Sequence, residues 1–415
     1  MQNGAAVVKF DGVSALLDGW VSSGLLAGAS VLIQQSGKEL LYHGAGLSDI
    51  ASTDPLARNA IFRLYSMTKP ITAGAIMILV DDGVLHLEDV VTEYVPELIG
   101  LGVYTGQDGD DVHTLLADPI HIEQLLTHTA GFSYWFYPDQ PVAALYANDP
   151  GIGAHEDWRF DPKLGLLNGL ARSLARLPLV SQPGAKWHYS MSLDVAGIVI
   201  ERVTGEPLSK FLETRIFEPL AMNDTAFSVA PGQEDRLTSL YKPEESGGIK
   251  LVESGDDSSL LKPVPGFSGG GGLVSTINDY GRFAEMLRGG GELDGHRVLS
   301  ESSARAIMTN RLNRDQLVEL PEFAPWGLAG TGDGLGIGYG GAVVLDPPVN
   351  GIPTYRGEYS WAGAAGTTFW VDPQNQLTVV FMTQLIPPST VMVRDELHSA
   401  VYKAMGLAGD ATDGQ

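Results

Sequence analysis

Apolar residues recur at helical spacing from the start of the chain. Val13, Leu16, Leu17 and Trp20 share one face of residues 10–24 and Gly24 supplies a stop, which predicts an amphipathic helix. Two strand-like runs follow, ASVLIQQ and ELLYHGAG, joined by Ser36, Gly37 and Lys38, and predict a hairpin. Residues 67–82 are apolar all round, the pattern of a helix buried inside protein. From about 85 to 220 the pattern is mostly helical, with short helices at 120–127, 194–204 and 208–216 separated by glycine and proline. The character then changes. Residues 358–362, 365–372 and 377–384 are β-rich, the last two joined by Pro373-Gln374-Asn375-Gln376 as in a meander. Val393, Leu397, Ala400 and Ala404 align on a final helix that ends at Gly406.

A helix and hairpin at one end, and a meander and helix at the other, can complete one antiparallel sheet with the helical middle as an insertion. The expectation is an α+β fold: a discontinuous sheet domain of residues 1–72 and 270–415, a mostly helical domain of 73–269, and a site at their interface. Glycine concentrates in 266–295 and 327–341, which predicts loops and strand kinks there.

Composition narrows the chemistry. Lys and Arg total 26 against 50 Asp and Glu, a net charge of −24 that repels phosphate backbones and anionic membrane surfaces. Neither nucleic acid nor a membrane is therefore an expected partner. The absence of cysteine removes disulfides, thiolate metal sites and cysteine nucleophiles. MQNGAAVVKFDG lacks a basic and then apolar leader, and no uncharged run approaches the roughly 20 residues needed to span a bilayer, so a cytoplasmic location is the default. The nine histidines include no H-E-x-x-H pair, and no metal site is expected.

Ser66-Met67-Thr68-Lys69 fits S-x-x-K, which puts a hydroxyl and an amine one helical turn apart on one face. Spacing alone is weak, since Ser239-Leu240-Tyr241-Lys242 and Ser259-Leu260-Leu261-Lys262 match it too. Only the copy at 66 opens an apolar helix, where unpaired N–H groups favour developing negative charge and a desolvated lysine can accept a proton near neutral pH. The alternative is a capping serine beside a snorkelling lysine. Gly266-Phe267-Ser268-Gly269-Gly270 matches the G-x-S-x-G nucleophile elbow, but PVP precedes it and a glycine run follows where the elbow needs a strand and a helix. Thr276 with Asp279 looks like a helix cap just beyond. Gly336, Gly338 and Gly341 satisfy G-x-G-x-x-G without the helix that dinucleotide binding requires. His128, at a helix end, reads as a structural residue. Phe132, Tyr134, Trp135, Phe136 and Tyr137 crowd one loop and predict either a pocket wall or packing between the domains.

The tetrad at 66, followed in order by LLTHTAG, WHYSMSLDVAG, GGGLVSTINDYGRFAEML and WAGAAGTTFWVDP, resembles class C β-lactamases and their esterase relatives, above all the family VIII carboxylesterases. The resemblance spans nearly the whole chain and implies a β-lactamase/transpeptidase-like fold. It implies Ser66 as acylated nucleophile with Lys69 its hydrogen-bonded partner and Tyr189 the tyrosine of Y-x-N or Y-S-x, its phenol expected to be acidified by the neighbouring ammonium; the two can share protons, and either can be the base. Trp361-Ala362-Gly363 stands where esterases have W-x-G, so the N–H groups of Ser66 and Ala364 are implied as the oxyanion hole, each such donor being worth roughly 3 kcal/mol. Met191 replaces the asparagine of Y-x-N, and Trp361 the cation of K-T-G that pairs with an antibiotic carboxylate. Losing that charge-assisted bond, roughly 1.5 to 3 kcal/mol, predicts penicillin and cephalosporin binding weaker by one to two orders of magnitude. Trp361, Gly363, Met191, Trp135 and Phe136 become the candidate substrate-binding residues. The expected activity is cofactor-free hydrolysis of small carboxylic esters with short to medium acyl chains. Amide, β-lactam or acyl-transfer chemistry at the same site is a second reading, and a non-catalytic penicillin-binding-like protein a third.

Overall fold

The structure is a computed structural model that describes residues 10–137, 140–152, 167–264, 266–316, 334–349, 351–387 and 391–407. An antiparallel sheet of seven strands forms its centre, in the spatial order Leu335–Ile337, Ala342–Val344, Tyr359–Ala362, Thr368–Asp372, Leu377–Thr383, Gly28–Gln35, Lys38–Gly46. The last meander strand pairs with the first hairpin strand, from Ala29 opposite Thr383 to Gln35 opposite Leu377, so both ends of the chain share one sheet. This is the α+β arrangement expected. Ser36 and Gly37, both at positive φ, make a two-residue hairpin turn whose twist matches the strands, and Lys38 opens the second strand instead of closing the loop.

The central strands are apolar on both sides because helices cover both faces. Ala29, Val31, Ile33, Val379 and Phe381 pack with Val13, Leu17 and Trp20 of the helix Asp11–Ser22 and with Leu397 and Val401 of the helix Val391–Ala404. On the other face Leu32, Phe369, Val380 and Met382 join the core that holds Tyr280, Phe283 and Leu287 of the helix Ile277–Arg288. Thr276 caps that helix by accepting from the Asp279 N–H at 3.2 Å. The helix Thr68–Asp81 is buried from Thr68 to Leu79, as its all-round apolar pattern demands. No helix among the described residues is long and apolar enough to cross a membrane.

Three expectations need correction. The middle of the chain holds not only the helices Ile122–Leu126, Pro141–Asn148, Leu167–Leu174, Ser192–Thr204 and Leu208–Leu212 but also a two-stranded ribbon, Gly102–Asp108 with Asp111–Leu116. Its second strand is almost wholly exposed, so no alternation of apolar residues marks it. The helix expected to run over 208–216 passes at Glu213 into a π-helical turn, Glu213–Phe217. The middle β-rich run begins at Thr368 and not at 365, because residues 363–367 form a tight turn closed by Gly363 N–H to Thr367 O and Gly366 N–H to Gly363 O.

Candidate active site

Ser66 lies in the 3-10 turn Tyr65–Met67, which leads directly into the buried helix. Tyr65 before it has φ +47°, a left-handed conformation costly for a tyrosine. The surroundings hold the turn in place. Phe62–Arg63 pairs with Val274–Ser275, the Leu64 N–H donates to Leu273 O, and the Tyr280 hydroxyl donates to Met67 O at 2.9 Å. One turn on, Lys69 is wholly buried, and its Nζ donates to Ser66 Oγ at 3.1 Å and to the Gly270 carbonyl at 2.6 Å. Tyr189 arrives on the loop before the helix Ser192–Thr204, with its hydroxyl 2.5 Å from Ser66 Oγ. Residues 66, 69 and 189 thus meet within hydrogen-bonding distance. Ser66 alone of the three is only half-buried.

The electrostatics differ from the expectation at one point. Burial drives the Lys69 ammonium down to about 7, a fall that the charge of Asp194 opposes. The Tyr189 phenol is pushed up by burial, and its bond to Ser66 only partly offsets this, whereas the sequence suggested an acidified phenol. The physical reason is that burial strips water from the phenol itself and so penalises its charged form, and the Asp194 carboxylate adds to the rise. Tyr134 and Trp361 stand over the same phenol, with ring centroids 5.1 and 5.7 Å from that of Tyr189.

The sequence reading missed Asp194, and it gave Ser268 no role once the elbow was rejected. Asp194 is buried in the first turn of its helix, accepts from Ser268 Oγ at 2.5 Å and from the Gly270 N–H at 3.0 Å, and is itself pushed up by burial against the pull of Lys69. Gly270 therefore links the acid and the amine, N–H to Asp194 and carbonyl to Lys69. A Cβ there would collide with the Asp194 carboxylate, so any larger residue would have to displace that acid from its place beside Lys69. Ser268, the centre of the rejected G-x-S-x-G, is a buried prop for Asp194. The other S-x-x-K serines open no buried helix: Ser239 donates to Asp49 and precedes a strand, and Ser259 is exposed in the isolated 3-10 turn Ser259–Leu261. Gly336, Gly338 and Gly341 belong to a strand and its turn.

Of the candidate substrate residues, Trp135 and Phe136 are half-buried in an aromatic cluster in which Phe136 stacks on Tyr134 at 4.7 Å. Met191 and Trp361 are almost completely buried, with the Trp361 ring against that of Tyr189. Gly363 is required by contact, since a Cβ would strike both Thr367 and the Leu64 carbonyl, so the turn after the strand Tyr359–Ala362 lies against the serine segment. Ala364 packs in a small cluster with Tyr65. Among the described residues no acceptor takes the N–H of Ser66 or of Ala364. His128, at φ +57° and buried, packs its ring 4.8 Å from that of Tyr189, and burial holds its imidazole well below the usual range. Among the described residues no group of three or more His, Asp or Glu side chains is arranged to hold a metal ion.

Known proteins resemble this chain over nearly its full length. The family described as Beta-lactamase matches residues 13–402. Esterase EstB of Burkholderia gladioli is 30% identical over 407 residues, 93% of this chain and 94% of that protein. Lovastatin esterase of Penicillium rubens is 30% identical over 386 residues, 89% and 91% of the two chains. The solved structure of EstCE1, described as a hydrolase with promiscuous acyltransferase activity, superimposes with a TM-score of 0.77 at 25% identity, covering 94% of this chain and 97% of that one. These relatives support an esterase-type hydrolase, with ester hydrolysis or acyl transfer as its chemistry. The chain belongs to the beta-lactamase family, among the family VIII esterases of that superfamily.

Proposed function

We propose that this protein is a serine carboxylesterase that forms an acyl-enzyme on Ser66. The observation that carries the reading is that a buried amine titrating near neutrality and a protonated phenol both lie within 3.1 Å of one half-buried hydroxyl. In its charged form Lys69 donates to Ser66. Once neutral, it keeps an N–H for Gly270 O and turns its lone pair to the serine, so the bonds run Tyr189 to Ser66 to Lys69. Ser66 Oγ then attacks the ester carbonyl as its proton passes to Lys69, and the N–H groups of Ser66 and Ala364 receive the oxyanion. Tyr189 hands its proton to the departing alcohol and is reprotonated from Lys69. Water repeats the sequence in reverse to release the acid, and a second alcohol in its place would give acyl transfer.

Esters are favoured over β-lactams because Trp361 offers no cation for an antibiotic carboxylate and Met191 no amide for its side chain. A fluorophosphonate is expected to add one equivalent to the intact protein, on the peptide carrying Ser66. The kcat/KM for nitrocefin should lie roughly ten- to a hundredfold below that for p-nitrophenyl butyrate. An adduct elsewhere, or faster turnover of nitrocefin, would reverse the reading.

The pH profile is a further test. Activity requires Lys69 without its proton, so kcat/KM should rise with pH and level off above an inflection near the value of about 7 to which burial brings it. Removing the Asp194 charge removes an influence that holds Lys69 protonated. In Asp194→Asn the inflection should therefore move to lower pH, measured on p-nitrophenyl butyrate between pH 5 and 9. An unmoved inflection would mean that Asp194 does not act on this amine.

A further inference from the structure

The turn that carries Ala364 is held from behind by a charged side chain of the C-terminal helix. Arg394 is 6% exposed, and its Nη2 donates to the carbonyls of Gly363 at 3.2 Å and Thr367 at 3.4 Å. The carbonyl of Gly363 and the N–H of Ala364 belong to one peptide unit. A donor on an amide oxygen draws electron density from the nitrogen and makes its N–H a stronger donor, the more so when that donor is charged. It also fixes the peptide plane, since rotating the unit to turn the N–H aside would break the bond to the guanidinium. The opposite side of the turn is equally constrained, by the contact of Gly363 with Leu64 O and by its closure through Thr367 and Gly366.

We propose that Arg394 is a positioning residue for the reaction: by donating to the Gly363 carbonyl it orients and polarises the peptide whose N–H, on Ala364, faces the developing oxyanion. The proposal rests on the reading of Ser66 as nucleophile and of its own and Ala364's N–H groups as the oxyanion hole. Burial lowers the guanidinium to about 10, which still leaves it charged at neutral pH, with Asp395 alongside in its favour. Replacing it with an apolar side chain leaves two carbonyls without this donor and Asp395 without its neighbour, a loss of stability that Tm reads separately from kcat. A stability defect and a catalytic defect can therefore be told apart.

The test compares wild type, Arg394→Met and Arg394→Lys. A whole oxyanion donor is worth 10²–10³ in kcat, so losing its polarisation and alignment should lower kcat about tenfold in Arg394→Met, with KM within roughly twofold. Isotope-edited infrared spectra of the acyl-enzyme formed from p-nitrophenyl pivalate labelled with ¹³C at the carbonyl should show the ester band at higher wavenumber in Arg394→Met, where the oxyanion hole polarises it less. Arg394→Lys, which keeps the charge but not the two-carbonyl reach, should fall between. A variant that lowers Tm yet keeps the wild-type kcat and band position would reduce Arg394 to a structural residue. If Arg394→Met does not fold, the same null result in Arg394→Lys decides against the proposal. A wild type without an adduct on Ser66 would instead remove the underlying reading, an outcome visible before any variant is made.

Discussion

Ser66→Ala is expected to lower kcat/KM on p-nitrophenyl butyrate by roughly 10⁴-fold or more, a barrier increase of about 5.5 kcal/mol, and to abolish the fluorophosphonate adduct. The magnitude follows from the chemistry. Without the hydroxyl there is no acyl-enzyme, and only binding and the oxyanion donors remain to assist attack by water. The fold should tolerate the change, because Ser66 is half-buried and its Oγ bonds only within the site. Ser268→Ala is the informative companion. It removes the 2.5 Å bond to Asp194 from a buried position, so it should cost stability and disturb Lys69 while leaving the adduct in place. If labelling and turnover instead survived in Ser66→Ala and vanished in Ser268→Ala, the glycine-flanked serine would be the nucleophile. Tm measured alongside separates lost chemistry from lost folding.

What was legible in the sequence was what local spacing encodes. Ser66 and Lys69 are three residues apart, and the unbroken apolar run after them announces burial, so proximity and a depressed amine both follow from the chain itself. The strand runs were legible because their neighbours cover both faces, so that LTVVFMT is buried throughout and dominated by apolar and β-branched residues. Tyr189 could be assigned only by resemblance, since nothing local brings a loop residue to a helix more than a hundred positions earlier. Asp194 and Gly270 were illegible for the same reason: their roles are created by a contact between two loops and a helix start. Ser268 shows the converse. Its motif is real as a string, but the two glycines after it, Gly269 and Gly270, serve close approach to the helix Ser192–Thr204 and to Asp194, not an elbow. The direction of the Tyr189 shift was misjudged because sequence does not reveal how far burial penalises the phenolate itself.

Lys69→Met is expected to lower the acylation rate by roughly 10³-fold, within the range for loss of a general base, and to remove the pH inflection near 7. Methionine approximates the length of the lysine stem, so the helix should still pack. The Gly270 carbonyl loses its donor and Asp194 its buried cation, and a lower Tm should accompany the kinetic loss. Other groups nearby are poor substitutes as bases. His128 is held well below its usual range by burial, and the Tyr189 phenol is pushed up, so neither changes protonation where Lys69 does. In the variant the rate should therefore climb with hydroxide concentration without a plateau. Single-turnover acylation between pH 5 and 10 makes the comparison. An inflection near 7 that persisted in Lys69→Met would assign the titrating group elsewhere and leave the amine only a structural role beneath Ser66.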